Sequence, residues 1–249
     1  MNLTLRNEIA DWMLEALESE HAVARLRALI SFAGAADAEG RASRLRPEDL
    51  DLLRESKSFE ESDGGLRLRP ELSRDLPALR ERASRFERAL VAARTVCGSA
   101  PAGPTAINAR GGPEPQAREL DWLLCAAAAL FNERLFFEVH ELLEPAWGRA
   151  REGLKTFLQG LIQVAVGLHH HENGNLRGAL SLLSDGNVKL ESVADAGRGL
   201  DLATFRNGVR RLTEAVHAQL AAGRAEPLDL SIVRLRFDRQ IGAIRAVTR

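Results

Sequence analysis

The sequence predicts a mainly all-α protein of two parts, an N-terminal helical domain with a small β-hairpin and a C-terminal antiparallel helical bundle. Three observations lead to this fold class. Apolar residues recur at three- and four-residue steps along most of the chain, which is typical of amphipathic helices. One stretch, residues 58–69, alternates with a period of two instead. A proline- and glycine-rich segment, residues 97–117, separates residues 1–96 from residues 118–249 and is interpreted as a linker.

The composition bounds the classes of function. The chain has 249 residues and a formal net charge of −1, so no global basic field attracts nucleic acid or an acidic membrane. No apolar run reaches the roughly 20 residues that a membrane span needs, and the N-terminus lacks the pattern of a signal peptide. Cys97 and Cys125 show no paired or metal-binding spacing, which favours a reduced, cytoplasmic setting.

The N-terminal domain is predicted to contain helices at residues 5–20, 23–32, 47–56 and 76–95. The turn signal Ser62-Asp63-Gly64-Gly65 lies between two alternating segments and predicts the hairpin. Helices followed by a hairpin have the outline of a winged-helix module. The third helix is acidic, and only Arg67 and Arg69 on the hairpin offset its negative charge. DNA binding is therefore a weaker hypothesis than a protein-interaction or structural role.

The C-terminal bundle is predicted from helical patterns at residues 118–132, 131–147, 156–170, 176–190 and 202–222. Asn175 is expected to cap the fourth of these helices and Gly223 to close the fifth. The residues after 228 are predicted to begin extended and to end as a helix through Ile241 and Ile244.

Residues 131–147 carry the most specific chemical pattern in the chain. On one helix they place Glu133, His140 and Glu144 on a single face, together with the large apolar side chains Phe136, Phe137, Leu143 and Trp147. Arg134, Glu138 and Glu141 are predicted to meet solvent. Pro145 is expected to kink or end this helix. Buried carboxylates need partners, so the face must receive hydrogen bonds, a cation or a metal.

The next helix is predicted to supply those partners. One of its faces carries Thr156, Gln159, Gly160, Gln163, Gly167 and His170, and the glycines are expected to bring the two backbones close. Arg177, early in the following helix, is expected to turn back towards Glu144 or Glu133. The structural interpretation is a satisfied polar cluster of Glu133, His140, Glu144, Gln163 and Arg177, in which loss of His140 costs about 1–3 kcal/mol.

The alternative interpretation is a metal site. His140-Glu141-Leu142-Leu143-Glu144 is similar to the H-E-x-x-H motif of metalloproteases, with glutamate in the place of the second histidine. His140, Glu144 and His170 are the candidate ligands for a divalent transition metal such as zinc, iron or manganese. Glu141 is the candidate catalytic base.

Several motifs together resemble one known family. They are Phe131-Asn132-Glu133, Phe136-Phe137-Glu138 with His140-Glu141, Glu144 and Trp147, then Gln159-Gly160-Leu161-Ile162-Gln163, and Gly174-Asn175-Leu176-Arg177-Gly178-Ala179. In this order they look like the signature of the domain of unknown function 309 family, over roughly residues 120–190. The resemblance implies a small all-helical bundle of prokaryotic origin, without an established activity. It does not account for the N-terminal domain.

Three hypotheses of function follow from the sequence. The first is a non-catalytic interaction or scaffold module that binds a protein partner. The second is a metal-dependent hydrolase that uses His140, Glu144 and His170. The third is a winged-helix-like regulator that binds DNA through the N-terminal hairpin. No membrane association is expected.

Overall fold

A computed structural model of the protein describes residues 1–63, 65–97, 113–193 and 199–237. The chain divides into two compact units, Met1–Ala100 and Pro101–Arg249. The described residues are mainly helical, with one small antiparallel sheet near the N-terminus. The predicted fold class is therefore confirmed.

The first unit combines helices with a three-stranded sheet of order β1-β3-β2. Its elements are α1 (Leu3–Glu18), α2 (Glu20–Ala35), β1 (Arg41–Ala42), α3 (Pro47–Arg54), β2 (Phe59–Ser62), β3 (Gly65–Leu68) and α4 (Leu76–Cys97). Phe59 lies opposite Leu68, and Ser62 lies opposite Gly65, so the predicted hairpin is confirmed. Strand β1 was not predicted, because two residues are too few to show a period.

The second unit is a bundle of successive helices, the first four of which are joined by short turns. Its helices are α5 (Ala117–Asn132), α6 (Phe136–Arg149), α7 (Glu152–Glu172), α8 (Leu176–Ser192) and α9 (Leu202–Ala222). Each of these helices packs against the next in sequence. The side chain of Asn175 accepts a hydrogen bond from the backbone N–H of Gly178, and Gly223 closes α9 in the left-handed conformation. Both predicted caps are confirmed.

Glycines bring the backbones of α7 and α8 into contact. A Cβ atom built on Gly186 would lie 2.9 Å from the carbonyl oxygen of Gly160, and one built on Gly167 would lie 3.1 Å from the backbone nitrogen of Leu183. Gly160 and Gly167 of α7 were predicted to bring it close to the preceding helix, and that prediction is wrong, since both glycines meet α8. They face α8 because α8 supplies a glycine of its own at the closest point.

Residues 228–237 form an extended segment that we call the strap; a short 3-10 turn, Leu230–Ile232, lies within it. Val233 and Leu235 are buried. The side-chain amide of Asn132 bonds to the backbone of Leu235 through both of its groups, at 2.9 Å and 3.0 Å. The extended start is therefore confirmed, whereas the predicted helical end through Ile241 and Ile244 lies outside the described residues.

Across the described ranges, none of the helices combines the length and the apolar character needed to cross a membrane.

Candidate functional site

The turn between α5 and α6 divides the stretch that was predicted to be one helix. The backbone N–H of Leu135 donates to the carbonyl oxygen of Leu130 at 3.0 Å, and that of Arg134 donates to Phe131 at 2.9 Å. Arg134 adopts the left-handed conformation, with φ of 61°, which is the usual closure of a helix C-terminus. The prediction of one helix over residues 131–147 is therefore wrong, and Glu133 does not share a helix with His140.

Helix α6 buries a different face from the one predicted. Its buried residues are Phe136, Glu138, Val139, Leu142, Leu143, Ala146 and Arg149. Phe137, His140, Glu144 and Trp147, which were predicted to lie inside the bundle, are half-buried instead. The aliphatic side of α6 faces the bundle, so the face that carries the aromatic, histidine and acidic motif residues lies at its edge.

Glu138 was predicted to meet solvent, and this is wrong, because its side chain is fully buried. Glu138 is the third residue of α6, close to the unpaired backbone N–H groups and the positive end of the helix dipole. That position favours a negative charge. Pro145 does not end the helix, since α6 continues to Arg149.

Two half-buried motif residues of α6, Phe137 and Trp147, contact side chains of α7. The ring of Phe137 lies 6.3 Å from the ring of His140 and 5.9 Å from that of His169. At the other end, the ammonium group of Lys155 lies 5.2 Å from the centre of the Trp147 ring, in a cation-π contact. We call this surface the α6–α7 face; it consists of Phe137, His140, Glu141, Glu144, Trp147, Lys155, Gln159 and His169.

His140 contacts its neighbour in sequence. Its Nδ1 atom lies 3.0 Å from Oε1 of Glu141, and the two side chains are 29% and 31% exposed. The imidazole ring of His140 is therefore partly accessible to solvent. The contact also joins His140 to the residue that was predicted to be the catalytic base.

The other predicted site residues differ in burial and in hydrogen bonding. Oε1 of Gln163 is buried without a hydrogen-bond partner, and Arg177 is exposed at the start of α8. The half-buried His170 pairs its Nδ1 with the amide of Asn175 at 3.1 Å. The buried member of the histidine run is His171, whose Nε2 lies 2.8 Å from Oε1 of Gln219 on α9.

The metal ligands proposed from the sequence do not converge. In the part of the chain that the structure describes, no group of three or more His, Cys, Asp or Glu side chains is placed to hold a metal ion. His140, Glu144 and His170 thus do not form a three-ligand cluster in this arrangement. A metal site that uses them stays a prediction for elemental analysis.

Basic residues of the N-terminal hairpin region are paired with acids. Arg67 donates to Oε1 of Glu60 at 2.6 Å. Arg54 on α3 donates to Glu61 at 2.8 Å and to Asp51 at 2.6 Å. These pairs reduce the positive charge that a DNA backbone would meet. DNA binding through this region stays a prediction with little electrostatic support.

Comparison with known proteins finds a family in the second unit. Residues 124–182 match the model of a domain of unknown function, DUF309. These residues carry a DUF309 domain. The match confirms the resemblance that the sequence motifs predicted, and the DUF309 domain contains every residue of the α6–α7 face.

One curated relative is similar to part of the chain, and its description names no activity. A protein of Aquifex aeolicus (strain VF5), described as uncharacterized, is 31% identical over 85 residues. The aligned region is 34% of this chain and 26% of that relative, so the chain spans about a quarter of the length of the relative it matches. No solved structure matches the chain.

Sequence reasoning missed two polar residues that fix helix ends in the second unit. Arg149 is buried at the end of α6, where it pairs with Glu119 of α5 and donates to the carbonyl oxygen of Pro113 at 3.1 Å. Hydrogen bonds from the side chain and backbone of Thr204 hold the pKa of Asp201 below its ordinary value. The spacing of Asp201 and Thr204 is an N-cap signal that the sequence contains. No local signal marks Arg149.

Proposed function

We propose that the second unit is a non-catalytic interaction module whose α6–α7 face binds an amphipathic helix of a partner protein. One observation carries the proposal. Phe137, His140, Glu144 and Trp147 belong to the motifs that resemble the DUF309 family, and yet they lie half exposed at the edge of the bundle. Motif residues that are not needed to fill the core are better explained by binding to a partner than by packing.

The shape of the face suits a helix. Phe137 and Trp147 are ten residues apart on α6, which is about 15 Å along the helix axis. Partly exposed aromatic side chains are typical anchors of protein interfaces. An amphipathic helix that lies along this face would place its apolar stripe between the two anchors.

The charge of the α6–α7 face indicates which charge the partner helix should carry. Residues 136–147 contain three glutamates and neither lysine nor arginine. Because Glu138 is buried, Glu141 and Glu144 set the sign of the accessible edge of α6. The complementary partner is therefore a helix with lysine or arginine along one side of its apolar stripe.

Site-specific crosslinking in the native host tests the proposal. A photoreactive phenylalanine in place of Gln159 on the α6–α7 face is expected to capture the partner. The matched control replaces Val188, which is 65% exposed on α8 and lies outside the face. Capture at Gln159 but not at Val188 supports the proposal, whereas equal capture at both positions, or none at Gln159, contradicts it.

A charge reversal tests the chemistry of binding. With a peptide of the captured helix, Glu144→Lys is expected to weaken affinity by about tenfold, which corresponds to about 1.4 kcal/mol. The control is Glu214→Lys on α9, where an exposed glutamate pairs with Arg210 at 2.8 Å. If both substitutions have the same effect on affinity, general charge explains the binding and the assigned face is wrong.

Metal content distinguishes the hydrolase hypothesis from the interaction proposal. Tag-free protein purified without chelators is compared with the His140→Ala variant by elemental analysis. The interaction proposal expects equal and substoichiometric metal in both proteins. About one equivalent of a transition metal that is lost in His140→Ala would favour a metal site built on His140, Glu144 and His170 instead.

A further inference from the structure

A pocket of about 390 Å³ lies between the α5–α6 turn and the strap. Phe131, Phe136 and Val233, each 2% exposed, form apolar walls of which only a little is accessible, and the half-buried Leu230 adds further apolar surface. Arg134, Arg234 and Arg236 also line the pocket. None of its lining residues belongs to the α6–α7 face. The volume falls within the range of sites that hold small molecules.

The extended conformation of the strap places Arg234 and Arg236 on the same side of the segment. Side chains alternate between the two sides of an extended segment. Val233 and Leu235 are buried, so Arg234 and Arg236 are directed outward, and both are exposed. The double hydrogen bond between Asn132 and the backbone of Leu235 fixes the segment between them.

The apolar walls are held by aromatic packing. The ring of Phe131 makes edge-to-face contacts with Phe136 at 5.2 Å and with Phe205 of α9 at 5.3 Å between ring centres. Phe131 and Phe136 are themselves almost fully buried. The pocket thus combines a packed aromatic wall with arginine side chains of the α5–α6 turn and of the strap.

Arg134 brings the third charge from the opposite wall. It occupies the left-handed conformation, with φ of 61°, which residues with a Cβ atom rarely adopt. Glycine would meet the conformational need of this turn at lower cost. The turn therefore does not require arginine at this position, and the side chain of Arg134 lines the pocket.

The charges at the pocket are only partly compensated. Arg134 bonds to Glu172 at 2.9 Å, and one nitrogen of Arg234 donates to the carbonyl oxygen of Asn132 at 2.8 Å. A guanidinium group has five N–H donors, so both side chains retain donors for a ligand. Arg236 acts electrostatically on Asp201, but among the described lining residues there is no carboxylate.

We infer that this pocket binds a phosphate monoester that carries an apolar or aromatic group. Guanidinium groups match phosphate oxygens with paired, charge-assisted hydrogen bonds, and arginines on two walls can engage more than one oxygen of a dianion. The apolar part of the ligand packs against the half-buried Leu230 and the accessible edge of the wall formed by Phe131 and Phe136. A small anion without such a group uses only half of the site.

Calorimetric titration of the full chain with phenyl phosphate tests this inference, at about pH 8, where a phosphate monoester is a dianion. Inorganic phosphate is the second probe. Phenyl phosphate is expected to bind at least about fivefold more tightly, because only it buries apolar surface. Arg234→Gln and Arg236→Gln are each expected to weaken the binding of phenyl phosphate by about tenfold.

Two further variants separate binding from folding. Arg134→Gly is expected to weaken binding by a similar factor without lowering the melting temperature, since glycine relieves the left-handed conformation. Arg210→Gln removes the same charge from an exposed position on α9 and is expected to leave affinity unchanged. The inference is overturned by an absence of saturable binding, by equal losses in Arg210→Gln, or by inorganic phosphate binding as tightly as phenyl phosphate.

Discussion

Replacing Gly186 by alanine tests whether backbone contact between α7 and α8 sets the spacing of the bundle. The new methyl group would lie 2.9 Å from the carbonyl oxygen of Gly160 and 3.0 Å from the backbone nitrogen of Val164. Backbone atoms cannot rotate out of the way as a side chain can. The two helices must therefore move apart to admit the methyl group.

The expected loss of stability follows from two opposing contributions. Alanine is better than glycine in a helix by about 1 kcal/mol. Forcing a methyl group into a filled contact costs about 1–3 kcal/mol, and the upper part of that range applies where backbone must shift. The Gly186→Ala variant should therefore lose about 2 kcal/mol of unfolding free energy.

The control is Gly148→Ala in α6, where a new Cβ atom would have no neighbour within 4 Å. It retains only the favourable contribution and should gain up to about 1 kcal/mol. Urea denaturation, followed by circular dichroism and tryptophan fluorescence, measures both variants against the native protein. The reasoning fails if Gly186→Ala is as stable as the native protein, or if both substitutions change stability in the same direction.

Three further predictions concern charged and titratable side chains. Arg149→Met should cost about 3 kcal/mol in urea denaturation, because it leaves Glu119 and two carbonyl groups without their buried partner. His140→Ala should cost less than about 1 kcal/mol in the same assay, since the His140 side chain is 29% exposed and the carboxylate that it contacts is 31% exposed. Asp201→Asn should make the unfolding free energy less dependent on pH in acid. The pKa of the Asp201 carboxyl group is lowered in the folded protein, so its charge stabilises the fold at pH values above the ordinary pKa of about 3.9. This stabilisation is lost as the pH falls through the folded pKa.

The outcomes that would contradict these predictions are specific. Arg210→Met, at an exposed ion pair, should change stability by less than about 0.5 kcal/mol, so an effect equal to that of Arg149→Met would exclude a special role for the buried arginine. A loss of about 3 kcal/mol in His140→Ala would restore the buried network predicted from the sequence. An Asp201→Asn profile that is parallel to the native one between about pH 2 and pH 5 would remove Asp201 from the acid transition.

Local signals in the sequence were sufficient to predict most helices and their caps. Asn175 and Gly223 act through their own backbone neighbours, so their roles can be read from a few adjacent residues. The hairpin was predictable for the same reason. The break at Arg134 was not, because the apolar pattern continues across it and the left-handed position is filled by arginine rather than by glycine.

The choice of buried face depended on partners that are distant in sequence. The pattern of α6 allows either side to face inward, and packing against α5 and α7 decides between them. The histidine run poses the same problem, since three consecutive residues point in three directions. His171 is the buried one because Gln219, 48 residues away, supplies its hydrogen bond.

The contact between α7 and α8 extends beyond the part of the chain that matches its family. The matched residues end at 182, inside α8, whereas Leu183, Gly186 and Leu190, which meet the glycines of α7, come after that point. A fragment trimmed to the region of similarity would lose the side chains that cover these glycines, as well as α9. The bounds of the family match are therefore not the bounds of a stable fragment, and a stable excised domain would have to extend through the strap.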